Sequence, residues 1–323
     1  MTKKTCWTIT DDKKGNQVQA QGLAMAIGFK TINKIITLSQ PWRCLPPSFW
    51  PPGVLGVSKN CDSLSQPWPD LLISCGRQSV GVCAEIKRRA KNNITTVHIQ
   101  HPRINMKKFD LVIAPSHDNP KGENVISTIG SLGSVNRNIL DKAAANYANG
   151  FATLPRPLIA VSIGGSNSVY TFDKKQAAKI AGQLKNVAKD TGGSLLISAS
   201  RRTGDANEKI LRETLKDIPG QFWNGEGDNP YFGYLGSADY VVATGDSVNM
   251  VSEACATGKP VYVIHMPAKG QTKFNIFHKS LEDLKLTRPF DGRLDKWQCT
   301  PLDETARVAA HIVEKVNQTH PKE

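Results

Sequence analysis

One stretch, Ala238 to Met266, constrains the fold of this chain more than any other. Tyr240 to Ala243 and Val261 to Ile264 are short runs of β-branched and apolar residues, which predict two buried strands. Between them, apolar residues recur at the spacing of one helix face, namely Val248, Val251, Ala254 and Cys255. Gly258 ends this helix, and Pro260 prevents its continuation. Two strands joined by one short helix form a βαβ unit, so the pattern predicts a parallel sheet.

The loop from Thr244 to Ser247 follows the first of these strands. Ligands of parallel α/β sheets bind beyond the carboxyl ends of the strands, which is where this loop lies. The loop also opens the helix, whose N-terminus stabilises an anion such as a diphosphate. Asp246 or Ser247 can accept from the free N–H groups of the first helical turn. The loop is therefore a candidate phosphate-binding segment.

Glu253 lies inside the same helix among apolar neighbours. A carboxylate at this place can accept hydrogen bonds from two sugar hydroxyls at once. Periodicity alone favours a simpler interpretation, in which Glu253 is a solvated helix carboxylate. The pattern itself leaves both interpretations open.

The residues around this helix resemble those of a known superfamily. Ser-Glu-Ala at 252–254, followed by Gly-Lys-Pro and a buried strand, resembles the donor-nucleotide helix of the GT-B glycosyltransferases. In that superfamily the helix glutamate holds the ribose of a nucleotide-sugar. The longer stretch Asn229 to Val263 resembles the family of the plant mitochondrial-fission factor and its bacterial relatives, which are predicted glycosyltransferases. SASRRTG at 198–204 and the opening segment Cys6 to Ala24 fit the same family, so the resemblance covers most of the chain.

The positive charge of the chain is unevenly distributed. The formal net charge is +13, and residues 1–150 carry 19 Lys and Arg against 9 Asp and Glu. A basic first half predicts an anionic partner, and an anionic lipid or glycan acceptor or a membrane surface fits it. Nucleic acid is not expected, because no groove-reading or aromatic-basic motif is present. The seven scattered cysteines include no C-x-x-C pair, so neither a disulfide framework nor a zinc site is predicted.

The sequence also bears on location. No apolar run is long enough to span a bilayer, and the N-terminus has no apolar signal core, so we expect a cytoplasmic protein. The proline-rich loop Pro41 to Gly56 contains two Trp and one Phe, which either dip into a bilayer interface or pack inward. The sequence therefore leaves two alternatives, a protein without membrane contact and one in peripheral contact with the inner face of a membrane.

Two aspartates follow the first predicted strand, Cys6 to Thr10. The resemblance implies that the acceptor-side catalytic base lies in this loop, and Asp12 and Asp11 are the candidates. Such a base would take the proton of the acceptor hydroxyl as it attacks the anomeric carbon. The alternative is that both aspartates cap the next helix or lie in solvent.

Further acceptor-side candidates lie at other strand ends of the first half. Gly76 and Arg77 resemble a glycine-rich loop of lipid-linked sugar transferases, in which Arg77 would meet phosphate. His101 ends the strand Thr95 to Ile99 and is a candidate for acceptor contact. A further strand is predicted at Lys34 to Ser39.

The second half restarts the strand pattern at Leu158, after a linker at Ala148 to Pro157. Gly164, Gly165 and Ser166 follow the strand. They do not form the motif G-x-G-x-x-G, so the sequence does not support a dinucleotide-binding site. Glycines without side chains still let a phosphate approach the backbone closely. The resemblance implies that this loop lies against the donor diphosphate.

A basic pair follows the next predicted strand. Arg201, Arg202 and Thr203 come after Ser194 to Ser198, and two arginines at a strand end suit bidentate phosphate contact. The alternative is a surface basic pair without a ligand.

The resemblance implies an α/β fold of the GT-B type, with two Rossmann-like, doubly wound parallel-sheet domains facing a cleft. Residues 1–150 are the predicted acceptor-side domain and 151–323 the nucleotide-sugar-binding domain, with the last helix, Leu302 to Asn317, packing back on the first.

The predicted function is metal-independent transfer of a sugar from a nucleotide-sugar to a cell-envelope or lipid-linked acceptor. The nucleotide-sugar is the substrate and no cofactor is expected. Two alternatives are open: a catalytically inactive adaptor that recruits a partner protein to a membrane, and a nucleotide-sugar epimerase.

Overall fold

The computed structural model describes residues 4–45, 49–50, 56–91, 93–268, 270 and 272–319. The chain divides into two compact units, Met1–Ser134 with Asp303–Glu323 and Val135–Leu302. Parts of the predicted aromatic loop, residues 46–48 and 51–55, lie outside the described residues. Within the described part of the chain, no helix is both long enough and apolar enough to cross a bilayer.

A six-stranded parallel sheet forms the centre of the first unit, with the strand order β2-β1-β3-β4-β5-β6. The strands are β1 (Thr5–Thr10), β2 (Lys30–Ile35), β3 (Leu71–Cys75), β4 (Thr95–Ile99), β5 (Leu111–Pro115) and β6 (Val125–Thr128). The helices are α1 (Lys14–Ile27), α2 (Ser79–Ala90) and α9 (Glu304–Thr319).

Helices cover both faces of this sheet. On one face, Leu23 of α1 and Ile312 of α9 are buried in one cluster with Ile73. On the other face, Ile86 of α2 packs in a cluster with Leu72. Because both faces are covered, the central strands are apolar on both sides, as buried parallel strands are. The last helix thus belongs to the first unit.

The strand predicted at Lys34 to Ser39 is wrong in its bounds. β2 starts at Lys30 and ends at Ile35, and it pairs only with β1 at the edge of the sheet. Its two isoleucines, Ile32 and Ile35, are three residues apart and exposed, so the strand shows no alternation of apolar and polar residues. Ile36 and Leu38, which give the predicted strand its apolar character, are buried just beyond the end of β2.

The second unit has a parallel sheet of the same size, with the order β12-β11-β10-β7-β8-β9. Its strands are β7 (Leu158–Ile163), β8 (Ser194–Ala199), β9 (Gly220–Phe222), β10 (Tyr240–Thr244), β11 (Val261–Ile264) and β12 (Thr287–Pro289). Its helices are α3 (Arg137–Phe151), α4 (Lys174–Thr191), α5 (Asp205–Leu215), α6 (Tyr231–Ser237), α7 (Val248–Cys255) and α8 (Lys273–Asp283). β10, α7 and β11 form the parallel βαβ unit that the sequence predicts.

The boundary between the units lies at Ser134 and Val135, upstream of the predicted linker. The reason is the packing of α3, which contacts α6 of the second unit. Phe151 of α3 lies 5.8 Å from Tyr234 of α6 between ring centroids. A Cβ atom on Gly233 would lie 2.3 Å from the ring of Tyr147, so α6 approaches α3 closely.

Candidate functional site

Three loops meet at the carboxyl edge of the second sheet, because β10, β7 and β8 are neighbours in it. The carboxylate of Asp246, whose side chain is fully buried, links them. Its Oδ1 accepts from Thr244 Oγ1 at 2.7 Å, and its Oδ2 accepts from the N–H of Gly165 at 3.1 Å. Arg202 Nη2 lies 2.7 Å from the same Oδ2. Asp246 therefore fixes the glycine loop and the basic loop relative to the start of α7.

The glycine loop approaches the basic loop so closely that a side chain would not fit. A Cβ atom on Gly165 would lie 2.0 Å from the carbonyl oxygen of Arg202. The N–H of Gly164 donates to Thr244 Oγ1 at 2.7 Å. The N–H groups of both glycines thus donate to protein oxygens.

The other residues predicted beside the donor also hold these loops. Thr203 Oγ1 donates to the carbonyl of Gly164 at 2.6 Å, and Ser166 Oγ accepts from the N–H of Phe172 at 2.9 Å. Arg201 is exposed, and no described residue accepts a hydrogen bond from it. Arg202 keeps 41% of its side chain exposed. The two arginines thus leave cationic surface open at this edge.

The N-terminus of α7 supplies backbone donors at the same edge. Ser247 is its N-cap, and its hydroxyl accepts from the N–H of Met250. The N–H groups of Val248 and Asn249 belong to the first turn, which has no acceptor within a helix, and no described residue accepts from them. Partial positive charge at this end of the helix favours an anion there.

Glu253 is half-buried on α7 and bonded to an aromatic side chain that the sequence analysis did not single out. The hydroxyl of Tyr231, the first residue of α6, donates to Glu253 Oε2 at 2.9 Å. Burial raises the pKa of Glu253 to about 7, and the Tyr231 hydrogen bond opposes this shift. Burial also raises the pKa of Tyr231 well above its usual range, so Tyr231 remains a phenol donor. The interpretation of Glu253 as a solvated carboxylate does not fit this environment.

Lys259, from the Gly-Lys-Pro segment, holds α6 in place. Its Nζ donates to the carbonyls of Leu235 and Gly236 at 2.8 and 2.6 Å, in the last turn of α6. Burial lowers the pKa of Lys259 to about 8. A cation at a helix C-terminus satisfies carbonyls that otherwise lack partners. Because α6 begins with Tyr231, Lys259 also supports the bond to Glu253.

His278 of α8 supports the loop after β10. Its Nε2 lies 2.8 Å from the carbonyl of Gly245, so this nitrogen carries the proton. Burial lowers the pKa of His278 to about 4. The imidazole is therefore neutral at physiological pH and donates to the loop.

In the first unit, the structure separates the two candidate bases. Asp11 is buried, and its Oδ1 accepts from Asn16 Nδ2 at 2.7 Å, whereas Asp12 is exposed. Asn16 Oδ1 in turn accepts from Gln100 Nε2 at 3.0 Å. Neither Asn16 nor Gln100 carries a signal in the sequence, because only the pairing of β1, β3 and β4 brings them together.

The other acceptor-side residues lie on the same edge of the first sheet. Gly76 has φ of +88°, and a Cβ atom there would lie 2.2 Å from Asn16 Nδ2. Arg77 Nη2 donates to the carbonyl of Leu45 at 3.1 Å and to that of Arg43. His101 Nδ1 accepts from the N–H of Arg103 at 3.0 Å. Arg77 thus holds the proline-rich loop. Among the described residues, no three His, Cys, Asp or Glu side chains cluster as metal ligands do.

Two Rossmann-like parallel-sheet units with polar loops at the carboxyl edges define the GT-B class of fold, and solved structures of that class match this chain. UDP-GlcNAc 2-epimerase from Neisseria meningitidis is 13% identical, with a TM-score of 0.52, and the match covers 97% of this chain and 100% of that one. The enzyme of the same name from Methanocaldococcus jannaschii is 11% identical, with a TM-score of 0.53, and the match covers 96% and 99%. At these identities the likeness shows the fold alone.

Sequence comparison identifies the family. The family model described as Mitochondrial fission ELM1 matches residues 14–316, so the chain belongs to that family. The mitochondrial fission protein ELM1 of Arabidopsis thaliana is 35% identical over 289 residues, which cover 80% of this chain and 66% of the plant protein. An uncharacterized protein of Rickettsia prowazekii (strain Madrid E) is 28% identical, and the match covers 95% of this chain and 97% of that protein.

Proposed function

We propose that this protein is a GT-B glycosyltransferase that binds a nucleotide-sugar on its second unit. One observation carries the proposal. Asp246 lies just before the N-terminus of α7, and Glu253 lies within the same helix. Asp246 assembles the phosphate-side loops. Glu253 lies six residues beyond the N-cap Ser247, or about 9 Å along the helix axis, which is of the order of the length of a ribose diphosphate.

In this proposal the diphosphate binds the N–H groups of Val248 and Asn249 and the exposed parts of Arg201 and Arg202. The ribose hydroxyls donate to the Glu253 carboxylate, which Tyr231 orients from the other side. Helix N–H groups and arginines would stabilise the charge that develops on the leaving diphosphate, so the reaction needs no metal ion. Because UDP-GlcNAc 2-epimerases share the fold, UDP-GlcNAc is the first donor to test.

The acceptor would be an anionic lipid or glycan bound at the carboxyl edge of the first sheet. Asp11 is favoured over Asp12 as the base in this loop, because Asn16 holds the Asp11 carboxylate at Oδ1 in one orientation. Its other oxygen would take the proton of the acceptor hydroxyl. The net positive charge of the chain fits an anionic acceptor and peripheral contact with a membrane.

A second candidate function is an adaptor that recruits a partner protein to a membrane. The observation that favours it is the family itself, whose description refers to mitochondrial fission. An adaptor does not need Glu253 to be held by Tyr231 or the loops to be assembled around Asp246. An epimerase is the third candidate and rests on the fold alone.

A release assay separates these functions. Purified protein is mixed with a labelled nucleotide-sugar and a lipid extract, and free nucleoside diphosphate and labelled lipid are measured together. A transferase produces both in equal amounts, and Asp11→Asn abolishes both, whereas Asp12→Asn retains them. An epimerase converts the sugar without lipid labelling, and an adaptor produces neither. Either of the last two results would refute the proposed transfer.

A further inference from the structure

A groove in the first unit is lined by none of the candidate site residues described above. Two cavities, of about 360 and 590 Å³, open beside the carboxyl end of α2 and share Trp68 and Arg89. α2 runs from the carboxyl end of β3 to the amino end of β4. The larger cavity, which Lys91 lines, therefore lies toward the opposite edge of the sheet from Gly76. The smaller cavity extends toward the carboxyl end of β2, where Asp62 bonds to Ile35.

The smaller cavity has an apolar floor. Val57, Leu64 and Trp68 are partly buried around it, and Ile86 is 2% exposed beneath it. Trp68 Nε1 donates to the carbonyl of Leu64 at 3.2 Å, so the polar atom of the indole has a partner within the wall. A concave apolar surface of this kind gains free energy when an alkyl chain covers it.

The shared part of the groove carries an oriented cation. Arg89 Nε donates to Glu85 Oε1 at 2.7 Å, and the Glu85 side chain is only 8% exposed. Arg88 binds the same carboxylate through two nitrogens. No residue that the structure describes accepts from the terminal amino groups of Arg89, nor from Lys91, which lines the larger cavity. Glu85 thus orients the guanidinium group of Arg89 and leaves its two terminal nitrogens available to an anion.

The remaining carboxylate of the groove, Asp62, accepts from the N–H of Ile35 at 2.8 Å and lines only the smaller cavity, whereas Lys91 lines the larger one. The walls of the groove present side chains and contain no strand of the described sheet. A peptide would find no strand edge to pair with, whereas an alkyl chain needs none.

We propose that this groove binds a single-chain anionic amphiphile. The alkyl chain occupies the cavity formed by Val57, Leu64 and Ile86, and the anionic head binds Arg89 and Lys91. Such a site would hold a lipid independently of the donor site on the second unit.

The test is calorimetric titration of the full chain with dodecyl phosphate below its micelle concentration, beside dodecyl maltoside and inorganic phosphate. The proposal predicts one site for dodecyl phosphate and at least about tenfold weaker binding of the other two. Arg89→Gln should weaken the binding of dodecyl phosphate about tenfold. Arg88→Gln also loses an ion pair with Glu85, but Arg88 lines neither cavity, so this variant should change the binding less than about threefold.

Leu64→Trp, which fills the smaller cavity, should abolish binding while circular dichroism stays unchanged. The proposal would be overturned if Arg88→Gln and Arg89→Gln lost the same affinity for dodecyl phosphate. It would also be overturned if dodecyl maltoside bound as tightly as dodecyl phosphate. Glu253→Ala should leave amphiphile binding intact, so this test and the test of the proposed function fail separately.

Discussion

The hydroxyl of Tyr231 donates a 2.9 Å hydrogen bond to Glu253 Oε2, across 22 residues of sequence. This bond joins the first residue of α6 to a helix that begins after β10. It places a half-buried carboxylate, with one oxygen held, on the helix whose N-terminus meets the glycine and arginine loops. In the proposed function, this pair binds the two ribose hydroxyls of the nucleotide-sugar.

The first prediction concerns the pH dependence of donor binding. Because burial raises the pKa of Glu253 to about 7, and ribose hydroxyls donate to the ionised form, the affinity for a nucleotide-sugar should rise with pH and level off above pH 7. Below pH 6, each unit of pH should weaken binding about tenfold. Calorimetry with UDP-GlcNAc between pH 5 and 9 measures this, and Glu253→Gln should give a nearly flat profile. An equally steep profile in Glu253→Gln would assign the proton to another group.

The second prediction concerns stability. A carboxyl whose pKa is raised in the folded state stabilises the fold fully below its unfolded pKa, and this contribution is lost as pH rises toward the folded value. Ionisation of Glu253 should therefore lower the free energy of unfolding as pH rises from about 4.5 to 7, by at most about 3 kcal/mol. Glu253→Gln keeps an acceptor for Tyr231 and should unfold at higher urea concentration than the wild type at pH 8. The two proteins should converge at pH 4. A less stable variant at pH 8 would contradict the burial of a charge here.

The third prediction concerns Asp246. Asp246→Asn loses the ion pair with Arg202 and places an amide against the N–H of Gly165. We expect the free energy of unfolding to fall by about 2 kcal/mol, less than for a fully buried pair, because solvent screens the partly exposed Arg202. Urea denaturation measures this loss. The matched control is Asp141→Asn, whose ion pair with Arg137 is exposed and should contribute almost nothing.

The fourth prediction concerns acid. His278 is neutral in the folded protein, because burial lowers its pKa to about 4, and it must gain a proton on unfolding near pH 5. Its depressed pKa makes stability decrease as pH falls from about 6.5 to 4, by at most about 3 kcal/mol. His278→Gln can keep a donor toward Gly245 and should flatten this part of the stability curve. The exposed His311→Gln should leave the curve unchanged, and a similar flattening there would contradict the assignment.

These residues also show what a sequence can and cannot predict. The βαβ pattern around Val248 and Val251 predicts the parallel sheet and a helix cap at Asp246 or Ser247, because both features depend on neighbouring residues, and Ser247 is the cap in the structure. The sequence pattern places the edge strand β2 too far along the chain, because the exposed residues of β2 do not alternate between apolar and polar. The sequence could not reveal that Asp246 binds Gly165, since the sheet order decides which loops meet.

The same limit applies to the candidate site. Glu253 was singled out through its family resemblance, whereas Tyr231 and Lys259 became apparent only when α6 was seen against α7. A tyrosine after Asn229 and Pro230 carries no local sign of a carboxylate partner. Burial, which raises the pKa of Glu253, is likewise a tertiary property.

The measurement that tests the donor site most directly is calorimetric titration of the wild type, Glu253→Ala and Glu213→Ala with UDP, GDP, ADP and CMP at pH 8. Glu213 is an exposed glutamate of α5 in the same unit, so its variant controls for the loss of one charge. We predict that one nucleotide binds the wild type and Glu213→Ala equally and binds Glu253→Ala at least about tenfold more weakly. Absence of binding by any nucleotide, or equal binding by Glu253→Ala, would contradict it.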